Sequence, residues 1–122
     1  MIGYITVGFN DKEVSGRFYD TLLGMMGATR QHENDRFIMW SKGEGTPGFA
    51  IITPADGKAA THGNGTMIGL MADDRAQVDA VHAKALELGG KDEGAPGERQ
   101  PGMYFAYFRD PVGNKIALYK MG

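Results

Sequence analysis

Three histidines, His32, His62 and His82, are the side chains best suited by ordinary pKa to move protons near neutral pH. They are far apart in the chain, with no His-x-His or His-x-x-x-His spacing, so they do not read as a metal-ligand set. His82 falls within a helical pattern and reads as a packed helix residue. His62 lies in a Gly- and Ala-rich connection; its chemical reading is an acid/base at a pocket rim, its plain reading a solvated loop residue. His32, at a strand end, reads as a surface group. The chain has no cysteine, which removes thiolate nucleophiles, disulfides and zinc–thiolate sites. Gly43-Glu44-Gly45-Thr46-Pro47-Gly48 matches G-x-G-x-x-G literally, but it precedes a strand and contains a proline. Dinucleotide binding by that motif needs the amides at a helix N-terminus, so the match carries no such expectation. No Gly-x-Ser-x-Gly elbow and no carboxylate pair at helical spacing stands out.

The elements that must position any site follow from periodicity. Residues 4–9 alternate as a strand, with Ile5, Val7 and Phe9 on one face. Asn10 is expected to cap the helix that follows, with Glu13 reaching back. Val14, Phe18 and Leu22 make one helix face, and Gly24 and Gly27 mark the end. Shorter strands are expected near 28–32, 36–40 and 49–53. A connection over residues 54–65 leads to a second round. Residues 67–72 alternate, and Asp73 or Asp74 caps a helix whose face carries Val78, Val81, Ala85 and Leu88. Strands near 91–93, 104–109 and 115–119 complete it. Asp110-Pro111-Val112-Gly113-Asn114 is a turn signature. A slide of 63 residues lays Tyr4 on Met67, Ile5 on Ile68, Asp11 on Asp74 and Gly27 on Gly90. A repeat of a strand–helix–three-strand unit follows, each unit too small to bury a core alone.

Composition bounds the function classes. The 122 residues carry 13 basic and 15 acidic side chains, a net charge of −2, which argues against a nucleic-acid surface. Apolar residues at 42% and charged residues at 23% suit a soluble globular chain. The 19 glycines are scattered between patterned segments and read as turns. No signal peptide and no apolar run long enough for a membrane span is seen, so a cytoplasmic protein with no membrane partner is expected.

Phe18-Tyr19-Asp20-Thr21-Leu22-Leu23-Gly24, Ala85-Leu86-Glu87-Leu88-Gly89-Gly90 and above all Tyr107-Phe108-Arg109-Asp110-Pro111-Val112-Gly113-Asn114 resemble the vicinal oxygen chelate superfamily. That superfamily includes glyoxalase I, the bleomycin and fosfomycin resistance proteins and the extradiol dioxygenases. The resemblance implies an α+β fold, with two βαβββ modules forming a cupped mixed sheet around a ligand cleft. Residues 1–122 would form a single domain: module one 1–53, connection 54–65, module two 66–122.

The resemblance also implies where metal ligands, usually His, His and Glu, would fall. Those positions hold Tyr4, Met67 and Ala117, with Ile52 at the corresponding place in module one. Such groups offer nothing to a hard divalent cation, so no metal and no cofactor is expected. Alternation, with Ile5, Val7, Ile68 and Leu70 facing the helices, puts Tyr4 and Met67 on the cleft face. The candidate lining is Tyr4, Trp40, Ile52, Met67, Tyr104, Ala117 and Tyr119, with Thr6 and Arg99 as polar groups; for Trp40 and Tyr104 the sequence leaves cleft and core faces both open. Arg99, in the Gly- and Pro-rich stretch 95–102, has two readings, a mobile anion clamp over the cleft and a solvated loop arginine. Arg109 reads as a turn or surface residue. The partner implied is a flat or amphipathic small molecule, and a homodimer is expected. Two functions stand side by side: a binding module resembling the bleomycin resistance proteins, and a lyase resembling glyoxalase I.

Overall fold

A computed structural model describes all residues, 1–122, as two compact units, Met1–His62 and Gly63–Gly122. The first unit runs β1 (Tyr4–Gly8), α1 (Lys12–Met25), β2 (Thr29–Asn34), β3 (Phe37–Ser41) and β4 (Gly48–Ile52). Its sheet has the order β1-β4-β3-β2, with β1 parallel to β4 and the other pairs antiparallel. The second runs β5 (Ile68–Met71), α2 (Arg75–Glu87), β6 (Lys91–Gln100), β7 (Met103–Arg109) and β8 (Lys115–Met121), in the order β5-β8-β7-β6. Element order and strand order therefore repeat, as the two sequence halves do. The class is α+β. No helix is long and apolar enough to cross a membrane.

In the first unit, Phe18, Tyr19, Leu22 and Leu23 of α1 are buried, as are Ile38, Trp40, Phe49 and Ile51 of the sheet. Tyr19 lies 4.6 Å from Phe49 and 5.9 Å from Trp40 between ring centroids. Each such large side chain contributes about 1.5–3 kcal/mol on burial. Val14, expected on this face, is 42% exposed; Ser15 takes the inner position. The cap differs too. Asp11, not Asn10, accepts from the N–H groups of Glu13 and Val14, both at 3.1 Å. Asn10 reaches across the unit instead. Its amide donates to the Ala60 carbonyl at 3.2 Å, and its Oδ1 accepts from the Ala60 N–H at 2.7 Å. Gly8 makes this approach possible, since a Cβ there would lie 2.6 Å from the Ala60 methyl.

In the second unit, Asp74 caps α2 by accepting from the Gln77 N–H at 2.7 Å, and Gln77 Oε1 accepts from the Asp73 N–H at 2.8 Å. Val78, Val81, His82 and Ala85 are buried, while Leu88, expected among them, is exposed. His82 Nε2 lies 3.1 Å from Asp92 Oδ1 and 3.2 Å from the Tyr107 carbonyl. Two acceptors on one ring nitrogen require it to carry hydrogen. The stretch expected as a loop after residue 93 is strand: β6 continues to Gln100 with register shifts around Gly94 and Gly97. An edge strand tolerates such bulges, and it tolerates Pro96.

Candidate functional site

Alternation gives each sheet one face toward its helix and one open face. In the first unit, Tyr4 is 65% exposed and lies on the open face with Thr6. The β3–β4 register pairs Phe37 with Ile52 and Met39 with Ala50, so these four share that face. With His32 they line a cavity of about 300 Å³. The wall is largely hydrocarbon, with Thr6 hydroxyl, Tyr4 phenol and His32 imidazole as its polar side-chain groups. A second depression, about 450 Å³, shares Tyr4, His32 and Met39 and is bordered by Gln31, Ser41, Glu44 and Thr46. That border is the glycine-rich segment. Its Thr46 hydroxyl donates to the Gly43 carbonyl at 2.6 Å, and the Gly48 N–H donates to the Gly3 carbonyl at 2.8 Å. The segment leads into β4, so no helix N-terminus stands behind it.

Trp40 is not on this face. It is 1% exposed, and its Nε1 donates to Asp20 of α1 at 2.9 Å. Odd positions of β3 face outward and even positions face the helix, and Trp40 is even. Asp20 also accepts two bonds from Arg30, both at 2.8 Å. These guanidinium bonds, opposed by partial burial and assisted by the indole, hold its carboxyl below the ordinary carboxylate value.

In the second unit, the open face carries Phe105, Tyr107, Ala117 and Tyr119, paired across β7 and β8. Phe105 stacks on Tyr119 at 5.3 Å and lies near-parallel to Tyr107 at 6.0 Å. Tyr119 is therefore on the expected side. Ala117 shares the side and is wholly buried. Tyr104 is on the other side: its hydroxyl donates to Asp79 of α2 at 2.5 Å, and the Arg75 guanidinium lies 4.9 Å from its ring. The Asp79 carboxylate beside the phenol raises its pKa. Met67, just before β5, is exposed. Arg99 is hydrogen-bonded within its own strand. It donates to the carbonyls of Ala95 at 2.7 Å and Gly97 at 3.1 Å, with its guanidinium 5.5 Å from the Tyr107 ring.

Arg109 pairs with Glu93 at 2.6 Å and donates to the Gly113 carbonyl at 3.0 Å. Asp110 Oδ1 accepts from the N–H groups of Val112, Gly113 and Asn114 at 2.9–3.0 Å, and Oδ2 from the Asn114 amide at 2.9 Å. The most specific motif in the sequence therefore builds a turn.

Phe37, Met39, Ala50, Phe105 and Tyr107 were not among the expected lining residues. The signal for them was present in Ile52 and Tyr119, whose cross-strand neighbours must share their faces. The positions where the resemblance implies metal ligands hold phenol, sec-butyl, thioether and methyl groups. Within either unit no three His, Cys, Asp or Glu side chains come together to hold a metal ion. The donor set does not fit a hard divalent cation.

This repeated βαβββ architecture, with open-faced four-stranded sheets, defines the class. The chain belongs to the glyoxalase/bleomycin resistance protein/dioxygenase superfamily, whose family model matches residues 1–118. A solved glyoxalase/bleomycin resistance protein from Albidiferax ferrireducens is 41% identical, with a TM-score of 0.89 over 98% of this chain and 97% of that one. Two more distant structures share the fold. A glyoxalase-related enzyme from Fulvimarina pelagi is 19% identical (TM-score 0.78, covering 98% and 86%). A lactoylglutathione lyase from Agrobacterium tumefaciens is 18% identical (TM-score 0.71, covering 98% and 92%). No curated protein matches the chain.

Proposed function

We propose that the protein binds a small, flat, largely apolar molecule on the open face of its first sheet, without a divalent metal. The cavity between Tyr4, Phe37, Met39, Ala50 and Ile52 carries this reading. A dry cavity of about 150 Å³ accommodates one benzene ring, so about 300 Å³ suits roughly two fused rings. The aromatic walls supply apolar contact, and Thr6, Tyr4 and His32 supply a few oriented hydrogen bonds. Nothing on that wall would polarise adjacent oxygens as a bound cation does, and this favours binding over lyase chemistry.

Titration of methyl-¹³C-methionine protein with 2-naphthol tests the reading. The Met39 methyl signal is expected to shift most among the eight methionines. An unmoved Met39 signal at saturation overturns it. Metal analysis after mild purification should find no stoichiometric metal; one tight equivalent of nickel, zinc or manganese overturns the metal-free part. Turnover of the glutathione–methylglyoxal adduct would replace binding with the lyase reading. A homodimer belongs to the same proposal, supported by exposed Met25 and Met121. Light scattering that shows a monomer at micromolar concentration sinks it.

A further inference from the structure

The chain holds four asparagines, and three have their side-chain amides engaged. Asn10 exchanges two hydrogen bonds with Ala60. Asn34 Oδ1 accepts from the N–H groups of Arg36 and Phe37 at 2.8 and 3.1 Å. The buried Asn114 amide donates to Asp110 at 2.9 Å. Asn64 is exposed, its side chain has no hydrogen-bond partner within the protein, and it alone is followed by glycine.

The backbone at Asn64 presents both potential reacting atoms to water. Residues 63–66 form an exposed turn closed by one bond, from the Thr66 N–H to the Gly63 carbonyl at 3.2 Å. Gly65 has φ +94° while no non-glycine residue has positive φ, so the turn is of type II, with Asn64 second and glycine third. The Gly65 N–H donates to no group of the protein. Glycine also places no Cβ beside that nitrogen.

We infer that Asn64 is a modification site, where the chain deamidates itself and forms isoaspartate. The Gly65 nitrogen attacks Asn64 Cγ and passes its proton through water to Nδ2. The N–Cγ bond forms, the Cγ–Nδ2 bond breaks, and Nδ2 leaves as ammonia. Water then opens the five-membered imide. Cleavage at Cγ gives aspartate; cleavage at the Asn64 main-chain carbonyl gives isoaspartate, whose backbone runs through Cγ and is one carbon longer. Either product adds one negative charge, so the formal net charge becomes −2 − 1 = −3. The extra carbon falls inside the ring closed by the Thr66–Gly63 bond, just before β5 begins at Ile68. Asn10, Asn34 and Asn114 are followed by Asp11, Asp35 and Lys115, whose side chains crowd the attacking nitrogen, and each would first have to give up its hydrogen bonds.

The test is to hold the whole folded protein in mildly alkaline buffer at body temperature, sample it over weeks, and digest each sample with trypsin. Cleavage after Lys58 and Arg75 releases residues 59–75, in which Asn64 is the only amide side chain. That peptide should gain one mass unit progressively and resolve into two products of equal mass, isoaspartate and aspartate. Asn10, Asn34 and Asn114 should convert at least about tenfold more slowly, the factor set by one hydrogen bond that must first break. N64Q, a conservative change on the surface, should abolish the gain in residues 59–75, because its ring would need a further methylene. Three results would each overturn the inference. One is an unchanged peptide from folded protein while the same peptide converts in urea-unfolded protein. Another is earlier conversion at a different asparagine. The third is a gain in N64Q as fast as in wild type.

Discussion

Trp40 Nε1 lies 2.9 Å from Asp20 Oδ1, and this bond turns the chain's one indole away from the open face and under α1. The bond joins β3 to the helix that covers it. Arg30 completes the arrangement, 2.8 Å from both carboxylate oxygens.

The pH dependence of that arrangement follows from its sign. Folding lowers the Asp20 pKa from its ordinary 3.8, chiefly through the Arg30 hydrogen bonds. Its contribution is therefore complete above the unfolded value and disappears as pH falls through the lower folded one. The carboxylate is 40% exposed, so solvent screening limits the contribution to about 1–2 kcal/mol. Urea unfolding followed by Trp40 fluorescence should show wild type ahead of D20N by that margin at pH 7. The two should converge as pH drops below 3.8. A constant margin down to strong acid would contradict this assignment.

Asn10 should matter as a tether and not as a cap. N10A leaves the Asp11 cap intact but strips Ala60 of a donor and an acceptor, costing about 1–3 kcal/mol. Limited proteolysis should then cut sooner within residues 54–62. D11A should destabilise by about 1 kcal/mol without exposing that segment. Equal cleavage of N10A and wild type would show that Asn10 does not hold the connection.

Asp110 should be structural. D110A removes the acceptor for three backbone amides and the Asn114 side chain from a buried turn. A loss of about 2–4 kcal/mol is expected in denaturant unfolding. D110N, which keeps Oδ1, should lose less. Correctly folded D110N should bind 2-naphthol as wild type does.

The architecture was legible because periodicity, caps and turns recur together 63 residues on, and Tyr4 with Ile52 was legible because alternation fixes a strand's faces. The faces of Trp40 and Tyr104 are not legible in the sequence, for a physical reason. A large aromatic with a polar handle suits either face, and its side is decided by the partner its N–H or O–H finds. Those partners, Asp20 and Asp79, sit on helices, where sequence alone does not show their aim. Ala117 lies on the side that alternation predicts and is wholly buried there, which a strand pattern does not reveal. The stretch that holds Arg99 reads as a loop in the sequence because Gly94, Pro96 and Gly97 lower strand propensity. An edge strand absorbs all three through its register shifts.

Ala50 gives the sharpest test of the first-unit cavity. Its methyl lies on the floor, between Met39 of β3 and Thr6 of β1 across the ladder. A50L projects a larger side chain into the space of about 300 Å³ while leaving every hydrogen bond of the sheet in place. Loss of about 55 Å² of apolar contact, at about 25 cal/mol per Å², corresponds to about 1.4 kcal/mol, or tenfold in affinity. Calorimetric titration with 2-naphthol should show at least that weakening in A50L, with stability near that of wild type. Full affinity in A50L would place the ligand off this face, whatever the cavity's shape suggests.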